Sequence, residues 1–281
     1  MQIQRKKLRV AILDLYNGEP NQGMGCIRNI LNRYAAFNHL EPEFDFFDVR
    51  QKLEMADSSY QFYISSGGPG SPLESQGGEW EQRYFSLIRQ LENINASGGT
   101  EKKYVFFICH SFQLMCRDYA LGQVCLRKSP SYGVFPVHKT TEGAKEKIFQ
   151  DLDDPFYAVD SREWQVIDPS EKQLKATGAT ILALEKERPH VPLQRALMAV
   201  RFSPYFVGTQ FHPEADPAAM AVYMQEKEKK SQMIADLGEE KYNKMLTQLM
   251  DPGKITHIRN MVIPSFMDIA LNDSKQIIAL A

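Results

Sequence analysis

A cysteine that could act as a nucleophile lies where a buried strand is predicted to turn into a helix. The run "KYVFFIC" (103–109) is largely apolar and predicts a strand, and "SFQLMCRDYALG" (111–122) predicts a helix that Gly122 ends. A thiol near a helix N-terminus is favoured as the reactive thiolate, and the next backbone N–H can stabilise an oxyanion. Because free cysteines are most often simply buried, Cys109 needs further support as a nucleophile.

A histidine that could serve this thiol follows a later predicted strand. In "GTQFHPEADP" (208–217), His212 ends the strand-like run and Glu214 comes two residues later, with Pro213 stiffening the link. A Cys–His pair needs a third group that orients the imidazole and sets its tautomer. Glu214 is suited to that role.

A glycine-rich turn before the cysteine could supply backbone hydrogen-bond donors. "SSGGPGSP" (65–72) follows the third predicted strand. Successive glycines and then Pro-Gly form a rigid turn whose N–H groups can face a developing negative charge or a phosphate. The turn lacks the Lys-Ser/Thr ending of a phosphate-binding loop. The three segments together therefore favour nucleophilic catalysis by a cysteine.

The elements that must position these segments are those of an α/β protein. Hydrophobic periodicity predicts strands at 8–16, 43–49, 60–66 and 103–109, and helices at 26–37, 79–94 and 111–122. This alternation predicts a parallel sheet covered on both faces. After Gly122, short strand-like runs predict an antiparallel or mixed edge. From Pro217 the chain is rich in Met, Lys and Glu, which predicts helices that "DPG" (251–253) interrupts before a last helical stretch at 265–273.

Length, charge and cysteine usage exclude several other classes of protein. The chain has 281 residues, 43% of them hydrophobic, which suits one large domain or one domain with an appendage. A net charge of −2 gives no sign of a nucleic-acid or membrane partner. The basic start "MQIQRKK" precedes an apolar run that Asp14 interrupts, so we expect neither a secretory signal nor a membrane span. Four cysteines without paired spacing predict reduced thiols in the cytoplasm, with neither a metal site nor a disulfide framework. We also expect no cofactor.

The three segments resemble the motifs of class I glutamine amidotransferases. That family has Gly-Gly-Pro-Gly after one strand, Gly-x-Cys-x-Gly-x-Gln after the next and Gln-Phe-His-Pro-Glu near the domain end, and the order and spacing agree here over residues 8–217. The resemblance implies an open, mostly parallel twisted sheet of the flavodoxin-like kind with helices on both faces, plus the mixed edge and a helical C-terminal extension. We therefore expect an amidotransferase-like α/β domain over 1–217 and a helical extension over 218–281, packed on the domain or used in association.

The resemblance also implies a role for each residue that matches a family motif. Cys109 would attack the side-chain amide of glutamine, with His212 as general base and acid and Glu214 orienting it. The backbone N–H groups of Gly68 and His110 would form the oxyanion hole. The implied substrate-binding residues are Gly67, Pro69, Gly70 and Gln113. A γ-glutamyl thioester would form, ammonia would leave, and water would release glutamate.

Two residues at the predicted turn depart from the family pattern. Phe107 and Ser111 stand where the family has glycines that let strand and helix approach around a strained nucleophile. Ser111 is small enough to be tolerated. Phe107 requires either that the backbone bend or that its ring point away from the crowded side.

Other functions stay open from the sequence. His110 directly follows Cys109, as in some intracellular cysteine peptidases of the wider superfamily, but that assignment leaves His212 and the glycine-rich turn without a role. "KSPSYGVFPV" (128–137) is most similar to the amidotransferase part of GMP synthase-type proteins, and an ammonia acceptor would then belong to a separate synthetase subunit. The alternatives are a stand-alone hydrolase of γ-glutamyl amides or peptides and a non-catalytic binding protein. We expect glutamine or a γ-glutamyl compound as ligand, with a homodimer contact as one use of the helical extension.

Overall fold

Apolar runs that alternate with helices form the parallel part of one large sheet. The computed structural model describes residues 7–280, so the first six residues of the basic start lie outside it. Within that range the nine strands are β1 (Lys7–Asp14), β2 (Glu41–Asp48), β3 (Phe62–Ser65), β4 (Tyr104–Ile108), β5 (Gln123–Lys139), β6 (Phe156–Ile167), β7 (Thr180–Glu185), β8 (Leu197–Arg201) and β9 (Phe206–Thr209). Their order is β2-β1-β3-β4-β9-β8-β7-β5-β6, with parallel pairing from β2 to β9 and antiparallel pairing from β9 to β6.

Eight α-helices of the described range surround or extend this sheet. They are α1 (Gly23–Phe37), α2 (Glu79–Ala96), α3 (His110–Asp118), α4 (Glu171–Thr177), α5 (Pro217–Gln225), α6 (Lys227–Leu237), α7 (Glu239–Leu249) and α8 (Pro252–Leu280). Two short 3-10 turns, Gly143–Lys145 and Lys147–Phe149, lie between β5 and β6.

Alternate residues of the parallel strands serve two separate cores. Val10 and Ile12 of β1 pack on the face that α1 and α8 cover, whereas Ala11 and Leu13 pack on the face that α2 and α3 cover. Strands buried on both sides are typical of parallel sheets between helices. The predicted α/β class is therefore confirmed, with five parallel strands extended by four antiparallel ones.

The antiparallel part returns to the parallel part and forms one side of a cleft. Two of the predicted runs join into the single strand β5, whose pairing with β6 is irregular between Leu126 and Ser131. At the far edge of the sheet, Val159 of β6 forms an isolated bridge with His212, whose backbone N–H donates to the Val159 carbonyl at 2.9 Å. This bridge brings the following β6 residues beside the carboxyl ends of β4 and β9.

The last helix begins earlier than predicted and contains a proline. α8 starts at Pro252 and continues through Pro264, although the sequence predicts only the stretch 265–273. Ile258, Val262 and Phe266 are buried in the core with the sheet and α1, and this packing offsets the helical hydrogen bond that Pro264 cannot donate. Across the described part of the chain, no helix combines the length and the apolar character needed to span a membrane.

Candidate active site

Cys109 lies between β4 and α3 in a strained backbone conformation. Its φ of 50° and ψ of −97° are unusual for any residue other than glycine and cost about 1–3 kcal/mol. Neighbouring backbone groups hold this conformation: the Cys109 N–H donates to the Thr209 carbonyl at 2.8 Å, and the Cys109 carbonyl accepts from the Gln113 N–H at 3.0 Å. The turn is therefore tied both to β9 and to the first turn of α3.

Ser111 adds hydrogen bonds that a glycine could not make. Its hydroxyl accepts from the Ile108 N–H at 2.8 Å and donates to the Ser65 carbonyl at 2.8 Å. Ser111 is fully buried, so solvent water does not compete for these hydrogen bonds. The serine therefore ties the end of β3 to the end of β4, next to Cys109.

Phe107 is accommodated without a bend in its strand. It pairs in register with Ser65 on one side and Gly208 on the other. A Cβ atom at Gly208 would lie only 3.1 Å from the Phe107 Cβ, so the missing side chain in β9 provides the space. The ring packs edge-on against Phe202 and Phe206 in the core under α2 and α3, with centroids 5.7 and 5.9 Å away. Of the two predicted solutions, the ring that points away from Cys109 is the one adopted.

His212 interacts with both an acid and the thiol. Its Nδ1 donates to Oε1 of Glu214 at 2.8 Å, and the Glu214 side chain is 2% exposed. Burial lowers the pKa of His212, but the negative charges of Glu214 and Cys109 and hydrogen bonds to both groups outweigh burial and raise it well above its usual value. The second carboxylate oxygen of Glu214 has no hydrogen-bond partner among the described residues. The carboxylate is thus directed at His212 alone.

Gly67 lies between the cysteine and the histidine. A Cβ atom at this position would be 3.1 Å from Cε1 of His212 and 3.6 Å from Cβ of Cys109. The Tyr16 hydroxyl would be 3.5 Å away, so three side chains converge on this α-carbon. A larger residue would have to displace the His212 ring, and Gly67 is itself buried beneath the pocket rather than part of its wall.

The rest of the glycine-rich turn is held from behind by an arginine. A Cβ at Gly68 would lie 2.3 Å from the Leu15 carbonyl oxygen, a contact that excludes any other residue. Arg50 Nη1 donates to the carbonyls of Leu15 at 3.2 Å and Pro69 at 2.7 Å. Gly70 has a φ of 88°, in the region that favours glycine. Arg50 is not among the predicted site residues, because only the folded chain brings it to the turn.

His110 differs sharply from His212. Burial, with smaller contributions from the positive charges of Arg50 and Arg117, lowers the pKa of His110 to about 3. Its Nε2 is buried and finds no hydrogen-bond partner within the described chain. Cys109 contributes to the pKa of His212 but not to that of His110. This difference disfavours His110 as the base that serves the thiol.

These groups open into a pocket of about 410 Å³, within the range of about 300–1,000 Å³ typical of small-molecule sites. The predicted site residues in its wall are Cys109, His212, Gly68, Pro69, Gly70, His110 and Gln113. Glu214 and Gly67 lie behind that wall. The pocket is completed by residues outside the predicted catalytic and substrate-binding set, from the loop after β1 and from the antiparallel part: Tyr16, Glu19, Pro20, Tyr132, Ser161, Arg162, Glu163 and Trp164.

Two buried glutamines connect the pocket wall to the thiol. Nε2 of Gln113 donates to the Trp164 carbonyl at 3.2 Å and to Oε1 of Gln210 at 3.0 Å. Nε2 of Gln210 then lies 3.5 Å from Sγ of Cys109. Gln210 belongs to the segment "GTQFHPEADP" but is not among the predicted site residues. Gln210 matches the Gln of the family motif Gln-Phe-His-Pro-Glu, and this match is the signal that the sequence contains.

Comparisons with known proteins agree with this architecture. The sequence pattern described as "Glutamine amidotransferase class-I" matches residues 21–229, whereas no curated protein matches the chain. The chain is similar to a glutamine amidotransferase from Thermotoga maritima at 16% identity, covering 95% of this chain and 99% of that one with a TM-score of 0.66. It is similar to a putative GMP synthase subunit from Thermoplasma acidophilum at 14% identity, with coverages of 99% and 100% and a TM-score of 0.58. It is also similar to the glutaminase domain of Trypanosoma brucei CTPS with bound acivicin at 14% identity, with coverages of 74% and 86% and a TM-score of 0.52. At these identities the structural similarities show the fold, and the predicted family resemblance is confirmed.

Proposed function

Because the chain belongs to the class I glutamine amidotransferase family, we propose that it hydrolyses the side-chain amide of glutamine with Cys109 as nucleophile. The observation that carries this proposal is the interaction of one histidine, His212, with both Cys109 and Glu214. A nucleophile, a base and a group that orients the base are the three components that such catalysis requires.

The proposed reaction begins with transfer of the Cys109 thiol proton to His212. The sulfur attacks the amide carbon of glutamine, and the carbonyl oxygen becomes an oxyanion that the backbone N–H groups of Gly68 and His110 stabilise. His212 then gives its proton to the leaving nitrogen, the C–N bond breaks, and ammonia departs from a γ-glutamyl thioester. Water, deprotonated by His212, attacks the thioester and releases glutamate and the thiol. Glu214 keeps the imidazole oriented and stabilises its positive charge.

In this proposal the ammonia reaches an acceptor on another protein. The neighbour from Thermoplasma acidophilum is described as a putative GMP synthase subunit, which supports a partner protein that carries the synthetase. Addition of that synthetase protein should then raise glutamate release by the present chain. An unrelated protein of similar size serves as the control.

The experiment that tests the reaction measures glutamate release from glutamine and covalent labelling by acivicin. We expect Cys109→Ser to lower glutamate release by about 10⁴-fold and to abolish labelling. Cys116→Ser is the matched control, because Cys116 is fully buried in α3 and does not line the pocket. Labelling that persists in Cys109→Ser would contradict the assignment of the nucleophile. A wild-type protein that neither releases glutamate nor reacts would favour a binding protein.

A hydrolase of larger γ-glutamyl compounds is a second candidate. The pocket extends past Cys109 to Tyr132, Glu163 and Trp164, beyond the residues assigned to glutamine itself. This space could receive a group attached to the amide nitrogen. Release of the amine from γ-glutamyl peptides, without release of ammonia from glutamine, would favour this candidate over the first.

A further inference from the structure

Gln210 places an amide against the nucleophile, and the proposed reaction gives it no task. Its side chain is completely buried, and its backbone N–H donates to the Met198 carbonyl of β8 at 2.8 Å. Nε2 lies 3.5 Å from Sγ of Cys109, which is within hydrogen-bonding distance for sulfur. A buried amide in contact with a reacting atom affects the charge that this atom can carry.

The orientation of the Gln210 amide is fixed by a chain of contacts that ends at a backbone carbonyl. The Trp164 carbonyl can only accept, so the nitrogen of Gln113 must face it. The second hydrogen of that nitrogen points to Gln210, which must therefore present its oxygen to Gln113. The remaining end of the Gln210 amide, its nitrogen, faces Cys109. The direction of every bond follows from Trp164, which resolves the usual ambiguity between amide oxygen and nitrogen.

Besides His212, the sulfur contacts two groups that favour opposite protonation states. Sγ of Cys109 is also 3.7 Å from the Ser161 carbonyl, which can accept from the thiol but repels the thiolate. Gln210 can only donate in the orientation described, so it favours the thiolate. Transfer of the proton to His212 therefore weakens the contact with β6 and strengthens the contact with Gln210. Hydrogen bonds to a charged group are stronger than those to a neutral one.

We propose that Gln210 is a catalytic residue that donates a hydrogen bond to the Cys109 thiolate, and that Gln113 is a positioning residue that holds Gln210 in this orientation. This proposal rests on the proposed function, since it assigns a task within the same reaction. It changes the role of Gln113: both hydrogens of its amide are already used, so only its oxygen is free to meet a substrate.

The first test compares two buried glutamines that each contact a cysteine sulfur. Gln210→Met removes the proposed donor, while Gln165→Met is the control, because Gln165 donates to Cys125 at 3.7 Å and does not line the pocket. The readout is the rate at which iodoacetamide alkylates Cys109, followed on the Cys109 peptide by mass spectrometry between about pH 5 and pH 10. We expect Gln210→Met to slow alkylation about tenfold at neutral pH and to move the rise of the profile to higher pH. Gln165→Met should follow the wild-type profile.

The second test examines the orientation imposed by Gln113. In Gln113→Glu the carboxylate cannot donate to Gln210, so the Gln210 amide should turn over and present its oxygen to the sulfur. We expect alkylation about as slow as in Gln210→Met, and no further loss in the double variant Gln113→Glu/Gln210→Met. Wild-type alkylation in Gln113→Glu, or losses that multiply in the double variant, would overturn the positioning role.

Two further measurements keep the outcome decisive. If circular dichroism shows that Gln210→Met does not fold, the nearly isosteric Gln210→Glu takes its place. We expect its alkylation to be more than about tenfold slower, because the new carboxylate repels the negative charge of the thiolate. Iodoacetamide has no glutamyl group, so alkylation reports the thiol independently of glutamine turnover. If the wild type showed no glutaminase activity but the variants were alkylated more slowly, the proposed function would be contradicted and the hydrogen bond from Gln210 to Cys109 would be supported. Glutamate release together with an unchanged alkylation profile in Gln210→Met or Gln210→Glu would overturn the role of Gln210.

Discussion

The parallel and antiparallel parts of the sheet keep buried polar groups in different ways. In the parallel part, hydroxyls and backbone amides satisfy one another at the turn around Cys109, as Ser111 does between Ile108 and Ser65, and the buried charges are single pairs such as Arg117 with Glu81. The antiparallel part instead buries a connected cluster of full charges. Three arginines and two acids, Arg127, Arg162, Arg188, Asp160 and Glu185, lie within 3.4 Å of an opposite charge.

The difference matches what each part does. Strained turns at the carboxyl ends of parallel strands require close backbone approach, so Arg50 supports the glycine-rich turn from behind rather than from within it. The charge cluster includes Arg162 of the wall made by residues 161–164 and links β6 to its neighbour β5 and to β7 beyond it. Burial raises the pKa of Glu185, but Arg162, Arg127 and Arg188 outweigh burial and lower it, so the acid stays ionised. The parallel part therefore carries the reactive groups, and the antiparallel part supplies a fixed wall.

The largest effect on stability is expected from a substitution in the charge cluster. Arg162→Met leaves Asp160, whose side chain is 3% exposed, with an unpaired charge. We expect the free energy of unfolding to fall by about 3–5 kcal/mol, as for other broken buried ion pairs. Urea denaturation followed by circular dichroism measures this change.

The control for Arg162→Met removes both partners. Asp160→Asn/Arg162→Met leaves no unpaired charge, so most of the lost stability should return. A double variant as unstable as Arg162→Met, or a single variant that loses less than about 1 kcal/mol, would show that the cluster does not hold the wall.

The same division explains which features were predictable from the sequence. "KYVFFIC" and the glycine-rich turn are contiguous signals, so a buried strand and the turn that follows it can be recognised without knowledge of the rest of the fold. The wall at 161–164 depends on the bridge between Val159 and His212, and no local pattern indicates that contact. The helix through Pro264 was missed for a similar reason, because packing on the sheet overrides the local signal to stop. The space for Phe107 depends on Gly208, about a hundred residues away in sequence but adjacent in the sheet.

The buried environment of His110 predicts how the stability of the protein depends on pH. Burial, Arg50 and Arg117 lower the pKa of His110 to about 3 in the folded protein. Below about pH 6.5 the imidazole therefore binds a proton in the unfolded chain but stays neutral in the folded protein. Stability from this group is therefore complete above about pH 6.5 and is lost as the pH falls toward 3. At about pH 5 the loss should be about 2 kcal/mol.

His110→Gln isolates this contribution. The variant keeps the backbone N–H proposed for the oxyanion hole but cannot take up a proton, so its stability should fall about 2 kcal/mol less than that of the wild type between about pH 7.5 and pH 5. Unfolding by urea at both pH values gives the comparison. Equal losses in the two proteins would show that His110 is protonated in the folded state and that its surroundings are not those described.

The smallest expected effect concerns Ser111, where the chain departs from the family glycine. Ser111→Gly leaves the Ile108 N–H and the Ser65 carbonyl without their buried partner, so we expect a loss of about 1 kcal/mol in the free energy of unfolding. Glutamate release per folded molecule should stay within about threefold of the wild type, because a glycine satisfies the steric demand of the turn. Ser111→Ala separates the two effects, since it removes the hydroxyl but not the backbone restriction. If either variant lost activity as Cys109→Ser does, the hydroxyl would belong to the reaction rather than to the support of the turn.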